Sequence, residues 1–208
     1  EKKSGLLKNM ETAYPWEIQE AEYGEERWMI RADHLRFSHE NTGTVLFDGF
    51  CFKLYPGERI WLRGKNGVGK TTLLQLLSGE LKNEAVERAE GLKIGWARQE
   101  PRLRSGYLRE HLDTPKWQGK TKRFLELCRC FDMPDGFLER PLETYSSGEQ
   151  KKVELALALA GENHVIFLDE PLNYMEILFQ NKLEEVILAD QPTLIFTEHD
   201  AGFSERIA

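Results

Sequence analysis

The chain has 208 residues, of which 40% are hydrophobic and 30% charged, with a formal net charge of −7. That is enough length for one domain of ordinary size with a substantial core. The negative balance argues against a broad nucleic-acid-coating surface, and no apolar run approaches the length that crosses a bilayer. Cys51, Cys128 and Cys130 are odd in number and lack metal-ligand spacing, which predicts buried or inert thiols in a reducing compartment. The chain opens on Glu1 without a signal-peptide pattern and so reads as part of something longer.

Residues 1–27 are charged and interrupted by Pro15 and Gly24. Leu6, Leu7 and Met10 have helical spacing, so the segment reads either as the end of a helical linker or as a flexible arm. From Trp28 the texture changes. Met29 to Phe37 and Val45 to Leu54 alternate apolar with polar residues, as half-buried strands do. Pro56-Gly57 marks a turn, and Arg59 to Arg63 reads as a strand that leads into a glycine-rich loop. A helix is expected from Thr71 to Leu77 and a strand from Lys93 to Ala97. Between about 105 and 144 the strands stop and short helices are expected, carried by Leu108, Leu112, Phe124, Leu127 and Phe131. Glu149 to Ala160 is a strong helical run, so an inserted helical subdomain spans about 105–160. Val165 to Leu168 is a buried parallel-type strand, followed by a helix from Ile177 to Ala189 and a strand from Thr193 to Phe196. Alternation of strands and helices predicts an α/β sheet with parallel strands.

Three motifs carry chemistry. Gly64-Lys65-Asn66-Gly67-Val68-Gly69-Lys70-Thr71 fits G-x-x-x-x-G-K-T between an expected strand and an expected helix. Such a loop turns successive backbone N–H groups onto phosphate oxygens, with the helix N-terminus adding a favourable field. Lys70 would reach the β and γ phosphates, Thr71 would place a hydroxyl on Mg²⁺, and Thr72 would bond the α phosphate. Asp169 and Glu170 stand where a central strand leaves the core, the ligand edge of such sheets. Asp169 would hold Mg²⁺ and Glu170 would polarise an attacking water. Taken alone, the same acidic pair would also serve as a helix N-terminal signal. The third motif is Tyr145-Ser146-Ser147-Gly148-Glu149-Gln150, where Ser146 also suits a plain helix N-cap.

With these motifs in this order, residues 28–208 resemble the ATP-binding cassette (ABC) ATPases. Tyr145 to Glu149 is similar to that family's Leu-Ser-Gly-Gly-Gln/Glu signature, with Tyr145 for the leucine and Ser147 for the first glycine. The resemblance implies a P-loop NTPase core with a mostly parallel sheet, an antiparallel β subdomain and a small inserted helical subdomain. It implies ATP and Mg²⁺ as ligands and a head-to-tail sandwich of two cassettes, in which Ser146 and Gly148 contact the γ phosphate held by the opposite cassette. It further implies that Gln99 senses Mg²⁺ and the γ phosphate, that His199 hydrogen-bonds that phosphate, and that His39 stands where an aromatic residue usually stacks on adenine. Pro171 to Glu176 resembles a Pro-Thr-Asn-His-Leu-Asp segment, with Glu176 at the place of the aspartate. That segment and Glu149-Gln150 lean towards the ABC-F branch, which implies a cytoplasmic C-terminal cassette acting on the ribosome, in translation or antibiotic resistance. The alternative is the nucleotide-binding subunit of a transporter coupled to membrane domains.

Overall fold

A computed structural model of the chain describes residues 16–18, 28–38 and 43–208, the side chains of 16–18 and 116 excepted. The expected helical end at Leu6 to Met10 and the expected adenine-stacking His39 lie outside the described residues.

The strands are β1 (Trp16–Ile18), β2 (Ile30–Ser38), β3 (Val45–Leu54), β4 (Arg59–Gly64), β5 (Val86–Arg88), β6 (Ile94–Ala97), β7 (Val165–Asp169) and β8 (Leu194–Thr197). The helices are α1 (Lys70–Ser78), α2 (Leu108–Leu112), α3 (Thr121–Cys130), α4 (Ser147–Ala160), α5 (Ile177–Asp190) and α6 (Ala201–Ile207). One sheet has the order β1-β4-β8-β7-β6, and the other has the order β3-β2-β5. In the first, β4, β8, β7 and β6 run parallel and β1 lies antiparallel on β4. The second is wholly antiparallel. The α/β core, the antiparallel sheet and the inserted helices follow the sequence expectation.

The parallel strands are apolar on both faces because each face has its own core. Along β7, Val165 and Phe167 pack with Ile60, Leu62, Leu73, Leu76 and the antiparallel sheet. Ile166 and Leu168, pointing the opposite way, pack instead with Trp61, Leu155, Leu183, Phe196 and the helices of the insertion. Burying a side chain such as Phe167 contributes about 1.5–3 kcal/mol, so neither face tolerates polar residues. The helix α4 is enclosed by the second core, with Val153, Leu155, Ala156 and Leu159 buried and Lys151 and Glu154 buried beside them.

Register places the chemistry. Asp169, the last residue of β7, pairs with Thr197, the last of β8, and Thr197 pairs with Leu62, two residues before the glycine loop. The glycine loop, the acidic pair and the segment after Thr197 therefore leave the sheet at one edge. No helix among the described residues is long and apolar enough to cross a membrane.

Candidate functional site

The loop after β4 turns on Gly67 (φ 79°) and Gly69 (φ 100°), left-handed conformations that a side chain would strain. Gly69 is the residue before α1, and no side chain caps that helix, so its first N–H groups face the loop. A Cβ on Gly69 would stand 3.4 Å from Leu46 and Phe47 of β3, so the antiparallel sheet walls the loop. Asn66 and Gly67 are exposed, and Gly64, Val68 and Thr72 are half-buried.

Lys70 is buried, and its Nζ donates to the carbonyls of Gly64 (2.7 Å) and Lys65 (3.0 Å). Burial lowers its pKa, while Glu170 and Asp169 oppose the shift at longer range. A buried ammonium bonded to neutral carbonyls is arranged to meet an anion. Thr71 Oγ1 donates to Asp169 Oδ2 at 2.8 Å, and Thr197 Oγ1 donates to Asp169 Oδ1 at 2.8 Å. The hydroxyl and the carboxylate form an all-oxygen donor set at the edge of the loop, which fits Mg²⁺.

Glu170 has φ 48° and is half-buried. Its backbone N–H donates to the carbonyl of Thr197 (3.1 Å) and to Thr197 Oγ1 (3.0 Å). Gln99 Nε2 donates to Glu170 Oε2 at 3.0 Å, and Asn173 donates to the same oxygen. His199 Nε2 stands 3.5 Å from Glu170 Oε1. The structure thus gathers Lys70, Thr71, Asp169, Glu170, Gln99 and His199 around one edge. A left-handed non-glycine residue costs free energy and is held here by these bonds.

Among the described residues, Ser146 and Gly148 make no hydrogen bond to this group. Ser146 is the N-cap of α4 in a full capping box: its Oγ accepts from the Glu149 N–H (3.2 Å) and Glu149 Oε2 accepts from the Ser146 N–H (2.7 Å). Burial tends to raise the pKa of Glu149, but hydrogen bonds from Arg140 and Ser146 outweigh it and leave the carboxyl below its usual value. Tyr145 is buried, its hydroxyl donating to the Phe137 carbonyl and its ring lying 5.1 Å from the Arg140 guanidinium carbon. Together with Tyr174, Glu176 and Phe179, the serine loop lines a cavity of about 460 Å³. No hydrogen bond among the described residues joins Ser146 or Gly148 to Lys70, Asp169 or Glu170.

Three supporting residues escaped the sequence reading. Lys151 is buried and donates to the main-chain oxygens of Arg98 (2.6 Å) and Asp169 (3.0 Å). Burial depresses its pKa to about 8. Thr197 is the hydroxyl behind both acids; its one signal was a polar residue ending an otherwise apolar strand. Glu198 is buried, accepting from the N–H of His199 (2.6 Å) and of Leu172 (3.1 Å), and so ties the histidine to the turn after Glu170.

This fold and site define a P-loop ATPase domain. The ABC transporter family model matches residues 47–173, and the chain belongs to that family. Within it, the sequence matches ABC-F-type ATP-binding proteins. The ATP-binding protein Uup of Caulobacter vibrioides (strain ATCC 19089 / CIP 103742 / CB 15) is 31% identical over 173 residues, covering 79% of this chain and 28% of that protein. The chain therefore spans little more than a quarter of that relative. Among solved structures, the ATP binding subunit of an ABC transporter superposes with a TM-score of 0.72 at 22% identity, covering 86% of this chain and 83% of that one. The archaeal ribosome recycling factor aABCE1, solved in complex with the ribosomal stalk protein aP1, superposes with a TM-score of 0.68 at 20% identity, covering 91% and 37%.

Proposed function

We propose that this domain hydrolyses ATP with Mg²⁺ as one half of a two-cassette sandwich, within an ABC-F-type protein that acts on the ribosome in the cytoplasm. The observation that carries the hydrolytic reading is Glu170, fixed by Gln99 and Asn173 on one oxygen and facing His199 with the other. ATP is bound by the loop 64–69, by Lys70 against the phosphate charge, and by Thr71 and Thr72 on the first turn of α1. Thr71, Asp169 and Gln99 are the residues that would hold Mg²⁺, which supplies charge neutralisation at the phosphate oxygens. Glu170 accepts the hydrogen bond of the attacking water and orients it, while His199 positions the phosphate from the other side. Most of the rate comes from placement and preorganised charge.

The second cassette is supported by the serine loop making no hydrogen bond to the phosphate loop or the acidic pair among the described residues, and by the surface beside it. Tyr174, Ile177 and Leu178 are 76%, 77% and 68% exposed, and Tyr174 lies beside Gly148, whose added Cβ would lie 3.5 Å from the Tyr174 carbonyl. Exposed apolar groups of this kind suit a partner surface. The domain boundary at about residue 28 and the insertion at about 105–160 belong to the same reading. The fold alone does not choose between ribosome and transporter, because a transporter subunit and a ribosome recycling factor superpose comparably. The Asn173-containing segment, on which the ABC-F likeness partly rests, and the match to Uup favour the ABC-F reading.

Glu170→Gln is expected to abolish turnover while ATP stays bound. Undiminished hydrolysis would overturn the assignment of Glu170. In the full-length protein the same variant is expected to cofractionate with ribosomes in ATP; cofractionation with membranes instead would favour the transporter alternative.

A further inference from the structure

The antiparallel sheet carries a second convergence of chemistry, away from the phosphate loop. Ala32 of β2 pairs with Phe52 of β3, and the next registered pair is Leu35 with Phe50. Asp33 and His34 together therefore oppose the single residue Cys51, a two-against-one bulge. In a regular strand, consecutive side chains point to opposite faces. Here His34 has φ 52°, a left-handed conformation that a residue other than glycine adopts at a cost. The bulge brings both side chains to Cys51.

One donor atom from each of Asp33, His34 and Cys51 lies within 4.8 Å of the others. His34 Nδ1 is 2.7 Å from Asp33 Oδ1, and Cys51 Sγ is 3.9 Å from the same oxygen. A tetrahedral ion with bonds of ordinary length needs about 3.3 Å between nitrogen and oxygen and about 3.6 Å between sulphur and oxygen. The first two separations lie within about 0.6 Å of these values and the third is bounded at 4.8 Å, so rotations of the exposed side chains reach that geometry. Asp33 and His34 are exposed and Cys51 is half-buried, so an ion has open access and room for water. The His34 backbone N–H, 3.3 Å from Cys51 Sγ, is a ready donor to a thiolate. An ordinary Asp33–His34 hydrogen bond needs neither the sulphur nor the left-handed backbone.

We propose that Asp33, His34 and Cys51 form a binding site for a borderline-soft divalent cation of the Zn²⁺ class, with water completing the shell. One nitrogen, one oxygen and one sulphur donor select such an ion over Mg²⁺ or Ca²⁺, which take oxygen. The ion would pin the bulge of β2 to β3.

The test is titration of the untagged, reduced, metal-free chain with Co²⁺ alone, followed by optical spectroscopy and displacement by Zn²⁺. One equivalent is expected to raise a thiolate-to-cobalt charge-transfer band, which oxygen-only binding at Thr71 and Asp169 cannot produce. The band is expected to survive Cys130→Ser and to vanish in Cys51→Ser. His34→Gly, which relaxes the left-handed backbone and so preserves the bulge, is expected to weaken Co²⁺ by about tenfold or more. Absence of the band in the native chain, its survival in Cys51→Ser, or native affinity in His34→Gly would each overturn the proposal.

Discussion

Lys151 Nζ donates to the main-chain oxygen of Asp169 at 3.0 Å, fastening the helix that starts at the serine loop to the strand that ends at the acidic pair. The same ammonium bonds Arg98 O at 2.6 Å, one residue before Gln99. One buried cation thus holds three segments that the proposed chemistry uses. Lys151→Ala removes both hydrogen bonds and opens a cavity, so it is expected to cost about 2–4 kcal/mol. Urea unfolding measures this directly; a loss below a few tenths of a kcal/mol would show that the tie is unimportant.

The same lysine gives stability a pH dependence. Its pKa is about 8 in the folded chain, against 10.5 for an ordinary lysine, with burial the main cause. Between those values the unfolded chain holds a proton that the folded chain has released, so raising the pH favours folding. The unfolding free energy of the native chain, taken relative to Lys151→Met, is therefore expected to rise from about pH 8 to about pH 10 by on the order of 2 kcal/mol. A flat difference across that window would contradict the burial of the charge.

Thr197 makes a sharper separation between binding and turnover. Thr197→Val keeps the shape of the strand end but removes the hydroxyl that bonds Asp169 Oδ1 and accepts from the Glu170 N–H. A stability loss of about 1–3 kcal/mol is expected, with turnover falling more than ATP affinity. Steady-state kinetics beside direct nucleotide binding resolves the two.

Much of this was legible in the sequence because the signals were local. The glycine loop, the apolar run before Asp169 and the helical period after Glu149 each declare themselves within a dozen residues. What escaped depends on tertiary pairing. The strand β5 has three residues, Val86–Arg88, too few to show a period of their own, and it forms by pairing with β2 and burying Val86. The helix α6 is short and follows the His199 segment without a long apolar repeat, though Asp200 caps it by accepting from the Phe203 N–H at 2.7 Å. The bulge at Asp33 and His34 hides inside an otherwise regular alternation. Lys151 reads as one of two adjacent lysines, and only the packed fold distinguishes the buried one from its neighbour. Cys128, expected to be inert, is buried, and burial pushes its thiol up to about 12. His39 lies where the structure gives no account of it.

Tyr145, in place of a leucine, is an anchor for the serine loop. Its hydroxyl bonds the Phe137 carbonyl, and burial raises its pKa to about 12, which keeps the phenol neutral. Tyr145→Phe removes that bond and leaves the carbonyl only the Arg140 N–H (3.2 Å), so it is expected to cost about 1 kcal/mol, read as a lower thermal midpoint. An unchanged midpoint would assign the tyrosine to packing alone.

The account rests most heavily on an active site shared between two cassettes, for which two paired copies of this chain stand in. Lys70→Ala removes the phosphate-binding lysine, whereas Ser146→Asp keeps a good N-cap but sets a negative charge where the γ phosphate of the opposite copy would lie. Each variant alone is expected to be inactive. Mixed in equal amounts at a concentration where copies pair, they form hybrids with one intact site, and the mixture is expected to recover about a quarter of the native rate per chain, from half the pairs carrying one of two sites. Recovery on mixing is the result that this account requires. Two inactive variants that stay inactive when mixed, in pairs shown to form and bind ATP, would contradict it.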